Sequence, residues 1–247
     1  NISKKLINQL SDRKTGAGCD QLITINKVIN NNDIDASIDI FNPNGDRAEA
    51  CGNGTRCVAK LLFQEKKTKN IKLHSEAGVL YAKKINDDII SVNLGKVSYN
   101  WKDIPLSKNV DTLNMPIINK NFVYSVAVNV GNPHIVFFGQ NIDEFKLEDF
   151  GPKIEHDSLF PEKINVEIIE IIDRSTIKMR VWERGVGITL ACGSGACAAA
   201  YASFLKGLTN DNVEVKVEKG SLNIKIINNE AIMDGPAEEI FRGYIEI

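Results

Sequence analysis

The sequence predicts an α/β (α+β) fold of two pseudo-symmetric domains from an internal duplication, each a curved, largely antiparallel sheet or barrel wrapped around a central helix. Three observations predict it. The arrangement Cys-Gly-x-Gly occurs twice, in "EACGNGTRCVAKLL" (49–62) and "LACGSGACAAA" (190–200). Aligning Cys51 with Cys192 brings Gly52 onto Gly193, Gly54 onto Gly195, Ala59 onto Ala200 and Phe63 onto Phe204. The flanks match as well: "IDIFN" (38–42) lies over "MRVWE" (179–183), and "NIKLHSEAGVL" (70–80) over "NVEVKVEKGSL" (212–222) after one inserted residue. Self-similarity of this kind is the mark of a repeated structural unit.

Each half gives the same order of elements. A strand leads through a glycine-rich turn into a helix (about 52–65 and 193–206). Alternating β-branched segments follow, separated by Gly or Asn-Asp turns. "IISVNLG" (89–95), "VYSVAVNV" (123–130), "INVEIIEII" (164–172) and "LNIKII" (222–227) all read as strands. The boundary between halves is expected in "WKDIPLSKNVDTLNMP" (101–116), where Pro105 and Pro116 flank polar residues.

Composition narrows the partners. The 247 residues are 43% hydrophobic and 25% charged, which is ordinary soluble globular material sufficient for one large or two modest cores. A net charge of -2 argues against nucleic acid or an anionic membrane. The cluster Lys66, Lys67 and Lys69 reads as a solvated turn. No apolar run approaches the ~18–20 residues that span a bilayer. Five cysteines without a C-x-x-C pair point to reduced thiols and a cytoplasmic protein. Their spacings, with three histidines in the chain, fit a metal site poorly, so no metal is expected.

A cysteine at the head of a helix sits among free N–H groups and the positive end of the dipole, where a thiolate is stabilised. Glycines beside it let backbone approach a ligand closely. Two such helices facing one another could hold a carboxylate between their amides and place one sulfur on each side of the adjacent carbon. That geometry suits inversion of an sp³ carbon: one thiolate removes a proton, and a thiol returns one to the opposite face. No electron-sink cofactor is needed, and none is expected. A lone cysteine near a helix start is more often a small buried hydrophobe. The duplication is what favours function for Cys51 and Cys192, whereas Cys57 and Cys197 read as packing residues behind the loops.

The blocks "FNPNGDRAEACGNGTRCVA", "VNVGNPHIVFF", "FPEKINVEII" and "ERGVGITLACGSGACAAA" closely resemble the diaminopimelate epimerases. "GAGCDQLITI" and "GPAEEIFRG" extend the match over nearly the whole chain. The resemblance implies cofactor-independent epimerisation of LL-2,6-diaminopimelate to the meso form, in lysine and peptidoglycan precursor biosynthesis. It implies an N-terminal domain of 1–113 plus 237–247, with "FRGYIEI" crossing back as a strand, and a C-terminal domain of 114–236. By matching position, Cys51 and Cys192 become the acid/base pair, and Gly52, Asn53, Gly193 and Ser194 hold the reacting carboxylate. Asn42, Asn132, Asn165 and Arg184 grip the far end of the substrate, Glu183 meets an ammonium, and Gln21 lies near the reacting centre. These residue types suit the task, since Arg184 can bind a carboxylate bidentately and asparagine both donates and accepts. His134 is an auxiliary candidate for ionising a thiol, with a structural hydrogen-bonding role as its alternative. His74 and His156 read as surface or structural. The partner expected is a small-molecule amino acid, not nucleic acid or a membrane, and a homodimer is the assembly left open.

The chain also departs from the family pattern. Cys19 stands where an aromatic is usual, and Ile188 replaces an acidic residue in the loop before Cys192. The family's opening block, with its substrate-binding Asn, has no match, so a native extension of roughly 20 residues upstream is expected, enough for one strand and a loop. A same-fold racemase for another amino acid such as histidine is the nearest rival reading. A non-catalytic ligand-binding relative and a thiol-redox protein are the others.

Overall fold

Period-two burial governs both halves. In the computed structural model, which describes residues 2–28, 33–48 and 51–245, Ile90, Val92 and Leu94 are buried while their neighbours are less so. The first half runs α1 (Lys4–Ser11), β1 (Leu22–Asn26), β2 (Ala36–Phe41), β3 (Arg47–Ala48), α2 (Gly52–Lys66), β4 (Asn70–Ser75), β5 (Gly78–Lys84) and β6 (Ile89–Lys96). The second runs β7 (Phe122–Asn129), β8 (Pro133–Gly139), α3 (Leu147–Glu155), β9 (Asn165–Asp173), β10 (Thr176–Glu183), β11 (Gly187–Thr189), α4 (Gly193–Leu205), β12 (Asn212–Val217), β13 (Gly220–Ile227) and β14 (Glu230–Pro236). The four strands read from the sequence are present as β6, β7, β9 and β13, and the two helices as α2 and α4.

Hydrogen bonding links the strands in the order β1-β2-β4-β5-β6-β14-β13-β12-β10-β9-β8-β7. The order is a mirror about the β6/β14 pair, and that is the duplication made visible. The matched segments also share a rarer feature. β2 pairs with β4 in parallel, and β10 pairs with β12 in parallel, each crossing over through its Cys-Gly-x-Gly helix. Apart from the parallel β8·β9 pair, the remaining ladders are antiparallel. The fold is mixed α/β, a duplicated curved sheet about two helices.

The helices differ in burial. α4, "GSGACAAAYASFL", is buried from Gly193 to Ser203, because small residues let strands approach on every side. α2 buries one face only, through Val58, Ala59, Leu62 and Phe63. The β7–β8 hairpin packs against α4 and has no counterpart over α2 among the described residues. Cys57 consequently lies exposed, which corrects its reading as a packing residue, whereas Cys197 is fully buried.

One further expectation needs revision. "FRGYIEI" forms no strand over its described residues 241–245, and Phe241 and Tyr244 are exposed. The crossing between halves is made by β14, which pairs with β6 in the register Ile232↔Asn93 and Asp234↔Ser91. With β5 on its other side, β6 has no free edge for a later strand. The tail instead meets α2 through the Lys60 ammonium, which donates to the Ala237 carbonyl, and through Arg242, which donates to Gln64. The segment 101–116 is irregular, as expected of a boundary, yet it packs. Ile104, Leu106 and Met115 join Ile135, Phe137, Ile154 and Ile168 in a second core on the far side of β7–β10 from α4. α3 closes this layer, with Gly151 set against the Trp182 ring.

Candidate active site

The two duplicated helices meet head to head. A side chain at either first glycine of the motif would strike the opposite unit. A Cβ on Gly193 would stand 3.2 Å from the Gly52 Cα, and one on Gly52 would stand 2.6 Å from Met233 Cε. The second glycines are required by other neighbours, since a Cβ at Gly54 would lie 2.2 Å from Ile23 Cδ1 and one at Gly195 2.7 Å from Glu167 Oε1. Both C-G-x-G sequences are therefore dictated by close approach.

Each cysteine is the N-cap of its helix. Cys51 Sγ accepts from the Gly54 N–H at 3.2 Å, and Cys192 Sγ accepts from the Gly195 N–H at 3.4 Å. The first backbone bonds, from Thr55 to Cys51 and from Ala196 to Cys192, start beyond Gly52, Asn53, Gly193 and Ser194. Those four amides are the ones a helix N-terminus leaves for a ligand, and the head-to-head contact gathers them in one place. The Ser194 hydroxyl lies 3.5 Å from Cys192 Sγ, and the Asn53 side-chain Nδ2 donates across the junction to the Ala191 carbonyl at 3.4 Å.

Burial overturns the expectation that helix N-termini lower both thiols. Cys51 is pushed up to about 11, chiefly by desolvation, against which the Gly54 N–H works. Cys192, 5% exposed, is raised well above an ordinary thiol by desolvation and then by the negative charges of Glu183 and Glu167. Loss of water here outweighs a partial dipole charge. The Glu183 carboxyl is itself raised, again mainly by burial, while bonds from Thr189 Oγ1 and the Cys192 thiol oppose the rise. A carboxylate and a thiol thus share one buried space.

The other expected residues fall into two groups. Gln21 Nε2 donates to Asn42 Oδ1 at 3.1 Å, at the end of β2. On the opposite wall, Asn165 Nδ2 donates to the Pro133 carbonyl at 3.0 Å while its Oδ1 accepts from the Arg184 N–H at 2.8 Å. Asn165 therefore fastens two loops together. The Arg184 guanidinium donates to the Glu162 carbonyl at 3.1 Å. His134 is fully buried, its Nδ1 2.7 Å from Glu167 Oε1 and its Nε2 2.8 Å from Asn132 Oδ1, so neither ring nitrogen is turned to a thiol. His74 and His156 lie exposed, apart from the site.

Sequence reasoning missed Glu167, Arg56, Met233 and Glu155. Glu167 carried a signal, as a carboxylate inside the apolar run "INVEIIEII". Glu155, buried at the last residue of α3, orients the loop after β10 by accepting from Trp182 Nε1 at 2.7 Å and the Gly185 N–H at 3.0 Å. A surface hollow of about 610 Å³ beside β1 and β2 stands apart from the thiols, and its facing charges are already paired as Lys4–Asp46 and Arg47–Asp39.

The buried thiols make stability depend on alkaline pH. Cys197 is raised by burial from 9.0 to about 12. Below 9.0 it is protonated in folded and unfolded chains alike and its contribution is constant. Above that value the unfolded chain ionises first, so stability falls as pH rises toward the folded value. Cys197→Ala, on a helix face already rich in alanine, is expected to melt with a shallower decline than the wild type between pH 9 and 11. Parallel melting curves across that window would refute it.

The comparisons agree with this geometry. The family model described as diaminopimelate epimerase matches residues 1–100 and 126–240. Among curated proteins, the chain is 44% identical to a diaminopimelate epimerase of Pelagibacter ubique, over 97% of this chain and 88% of that one. It is 40% identical to the Zymomonas mobilis diaminopimelate epimerase, over 98% and 87%. Among solved structures, a PhzF-family phenazine biosynthesis protein from Enterococcus faecalis aligns over 100% of this chain and 89% of its own with a TM-score of 0.69 at 13% identity. A hydroxyproline epimerase from Agrobacterium vitis aligns over 93% and 77% with a TM-score of 0.63 at 11% identity. At such identities these structures speak for the fold alone. No helix among the described residues is long and apolar enough to cross a membrane. Two cysteine-capped helices abutting through paired glycines, on a chain matched nearly end to end, place it: the chain belongs to the diaminopimelate epimerase family.

Proposed function

We propose that the chain interconverts LL- and meso-diaminopimelate, a step in lysine and peptidoglycan precursor biosynthesis, by passing protons between two thiols. The observation that carries this reading is the head-to-head meeting of α2 and α4, each capped by a cysteine sulfur. The reacting carboxylate docks on the amides of Gly52, Asn53, Gly193 and Ser194. One thiolate removes the α-proton, and the C–H electron pair moves into the carboxylate as an enediolate. The same amides stabilise its added charge, since they already point at it without reorganisation. The opposite thiol then gives its proton to the other face of the carbon. At the end of a turnover the thiol and thiolate have exchanged places.

Glu183 fits the task of taking the Cys192 proton, because its raised carboxyl stands beside that thiol. The distal amino-acid head is left to Asn42, Asn132, Asn165 and Arg184, with the negative charge of Glu183 also available to its ammonium. The test is α-proton exchange and inversion of LL-diaminopimelate in heavy water, with the histidine isomers as comparison. Exchange without preference for diaminopimelate would refute the substrate.

Glu183→Gln separates charge from catalysis. Glu183 raises both Cys51 and Cys192, so its neutral replacement should bring both thiols down, seen as ultraviolet thiolate absorbance at lower pH. Epimerisation should nevertheless fall roughly 10²-fold or more, the usual worth of a positioned proton acceptor. Lowered thiols with full activity would remove Glu183 from the mechanism.

A further inference from the structure

We infer that Glu167 is a positioning residue, which acts through His134 to turn the Asn132 side chain so that its amide N–H groups, and not its oxygen, are offered to the ligand. The inference rests on the site proposed above. Glu167 lies on the face of β9 that looks toward α4, two residues after Asn165, and is completely buried. Its Oε2 has no hydrogen-bond partner, and its Oε1 faces His134 Nδ1 at 2.7 Å. A carboxylate buried in this way is costly unless a positive group faces it. The parallel register His134↔Asn165 and Val136↔Glu167 brings the imidazole of β8 to that place. The ring's other nitrogen, Nε2, faces Asn132 Oδ1 at 2.8 Å.

Both ring nitrogens therefore face oxygens. An imidazole that donates at both nitrogens is the doubly protonated form, and the Glu167 carboxylate supplies its counter-charge. Asn132 then has its oxygen committed to His134, while its Nδ2 makes no hydrogen bond among the described residues. What remains for the cleft is a donor. A neutral ring would accept at Nε2, reverse the amide and offer the ligand an oxygen instead. A substrate with a carboxylate at its far end needs donors there, beside Arg184. The groups facing the imidazole are Glu167 on β9, Glu183 on β10, whose charge it senses, and, through both carboxylates, Cys192 at the head of α4. The bulk of Glu167 also explains the second glycine of the later motif, since any side chain at Gly195 would collide with its Oε1.

The test uses the whole enzyme with nitrogen-15 in its three histidines. His134 is expected to show protons on both ring nitrogens, each in a hydrogen bond to the oxygen it faces. A neutral-ring signature in the wild type overturns the inference without any variant. Glu167→Gln should lose the doubly protonated signature, bring the Cys192 thiol down because the Glu167 charge helps hold it up, and raise KM for diaminopimelate about tenfold, a larger effect than that on kcat. Asn132→Asp keeps an acceptor for Nε2–H but replaces the donor offered to the ligand, so it should keep the signature and raise KM by at least as much. Unchanged KM in both variants, or an equal loss confined to kcat, refutes the positioning role. Failure of the wild type to act on diaminopimelate would sink the proposed function, while the nitrogen spectra would still report on the ring.

Discussion

Cys51→Ala and Cys192→Ala are each expected to lower epimerisation by roughly 10³-fold or more, toward the upper end of what one positioned acid or base supplies. In the proposed mechanism each sulfur carries the proton on its own side of the helix junction, which Gly52, Gly193 and Met233 close too tightly for one thiol to serve both. The two variants should therefore fail in a characteristic way. The remaining thiolate can still exchange the α-proton of the isomer it faces, so deuterium enters without inversion. A second consequence is structural. Each sulfur is also an N-cap acceptor, so its loss should cost about 1 kcal/mol, typical of cap removal. Melting curves separate that modest loss from the catalytic one. A Cys192→Ala protein that inverted its substrate at the wild-type rate would end the two-thiol mechanism.

What the sequence made legible was what repeats. The doubled motif, the period-two strands and the small-residue helix each carry a local signal that duplication amplifies, and the mirror order of the sheet follows from it. α1 was hidden because its apolar positions, Leu6, Ile7 and Leu10, fill under two turns, although Ser3 caps it at the Leu6 N–H. α3 was hidden by Gly151 and Pro152, residues that ordinarily interrupt helices and here sit inside one. The site was legible in its residue types and not in its electrostatics. A cysteine at a helix N-terminus reads as a lowered thiol until burial is known, and burial depends on strands far away in the chain. The same limit conceals Glu167, whose meaning depends on His134, 33 residues earlier on the neighbouring strand. Contacts that cross the junction left no periodic trace at all.

Arg56 is the strongest case of such a contact, and its replacement by methionine is expected to damage both stability and chemistry. The residue is 5% exposed and reaches from the first half into the second. Its Nε donates to the Pro236 carbonyl at 3.0 Å, its Nη2 donates to Asn53 Oδ1 at 2.9 Å, and its Nη1 lies 3.0 Å from Met233 Sδ. No carboxylate balances it in these contacts, and burial depresses its own basicity. A buried cation without a counter-ion is a poor source of stability, so its value lies in what it holds. It fixes the Asn53 side chain beside an amide assigned to the substrate carboxylate, and it ties the end of β14 to α2. Methionine fills much of the space and satisfies neither acceptor. Asn53 is half-buried and Pro236 exposed, so water can reach these acceptors in part, and the loss should be about 1–2 kcal/mol, within the roughly 1–3 kcal/mol of a single buried unpaired group. The charge has a separate, signed effect. Arg56 works to lower Cys51, so Arg56→Met should move the Cys51 thiol still higher, opposite to the shift expected of Glu183→Gln. Arg56→Lys keeps the charge but not the planar fork that reaches three partners. It should leave the thiol near its wild-type position while sharing much of the loss in melting temperature. Identical Cys51 titrations in the methionine and lysine variants would show that Arg56 acts on the site through packing alone.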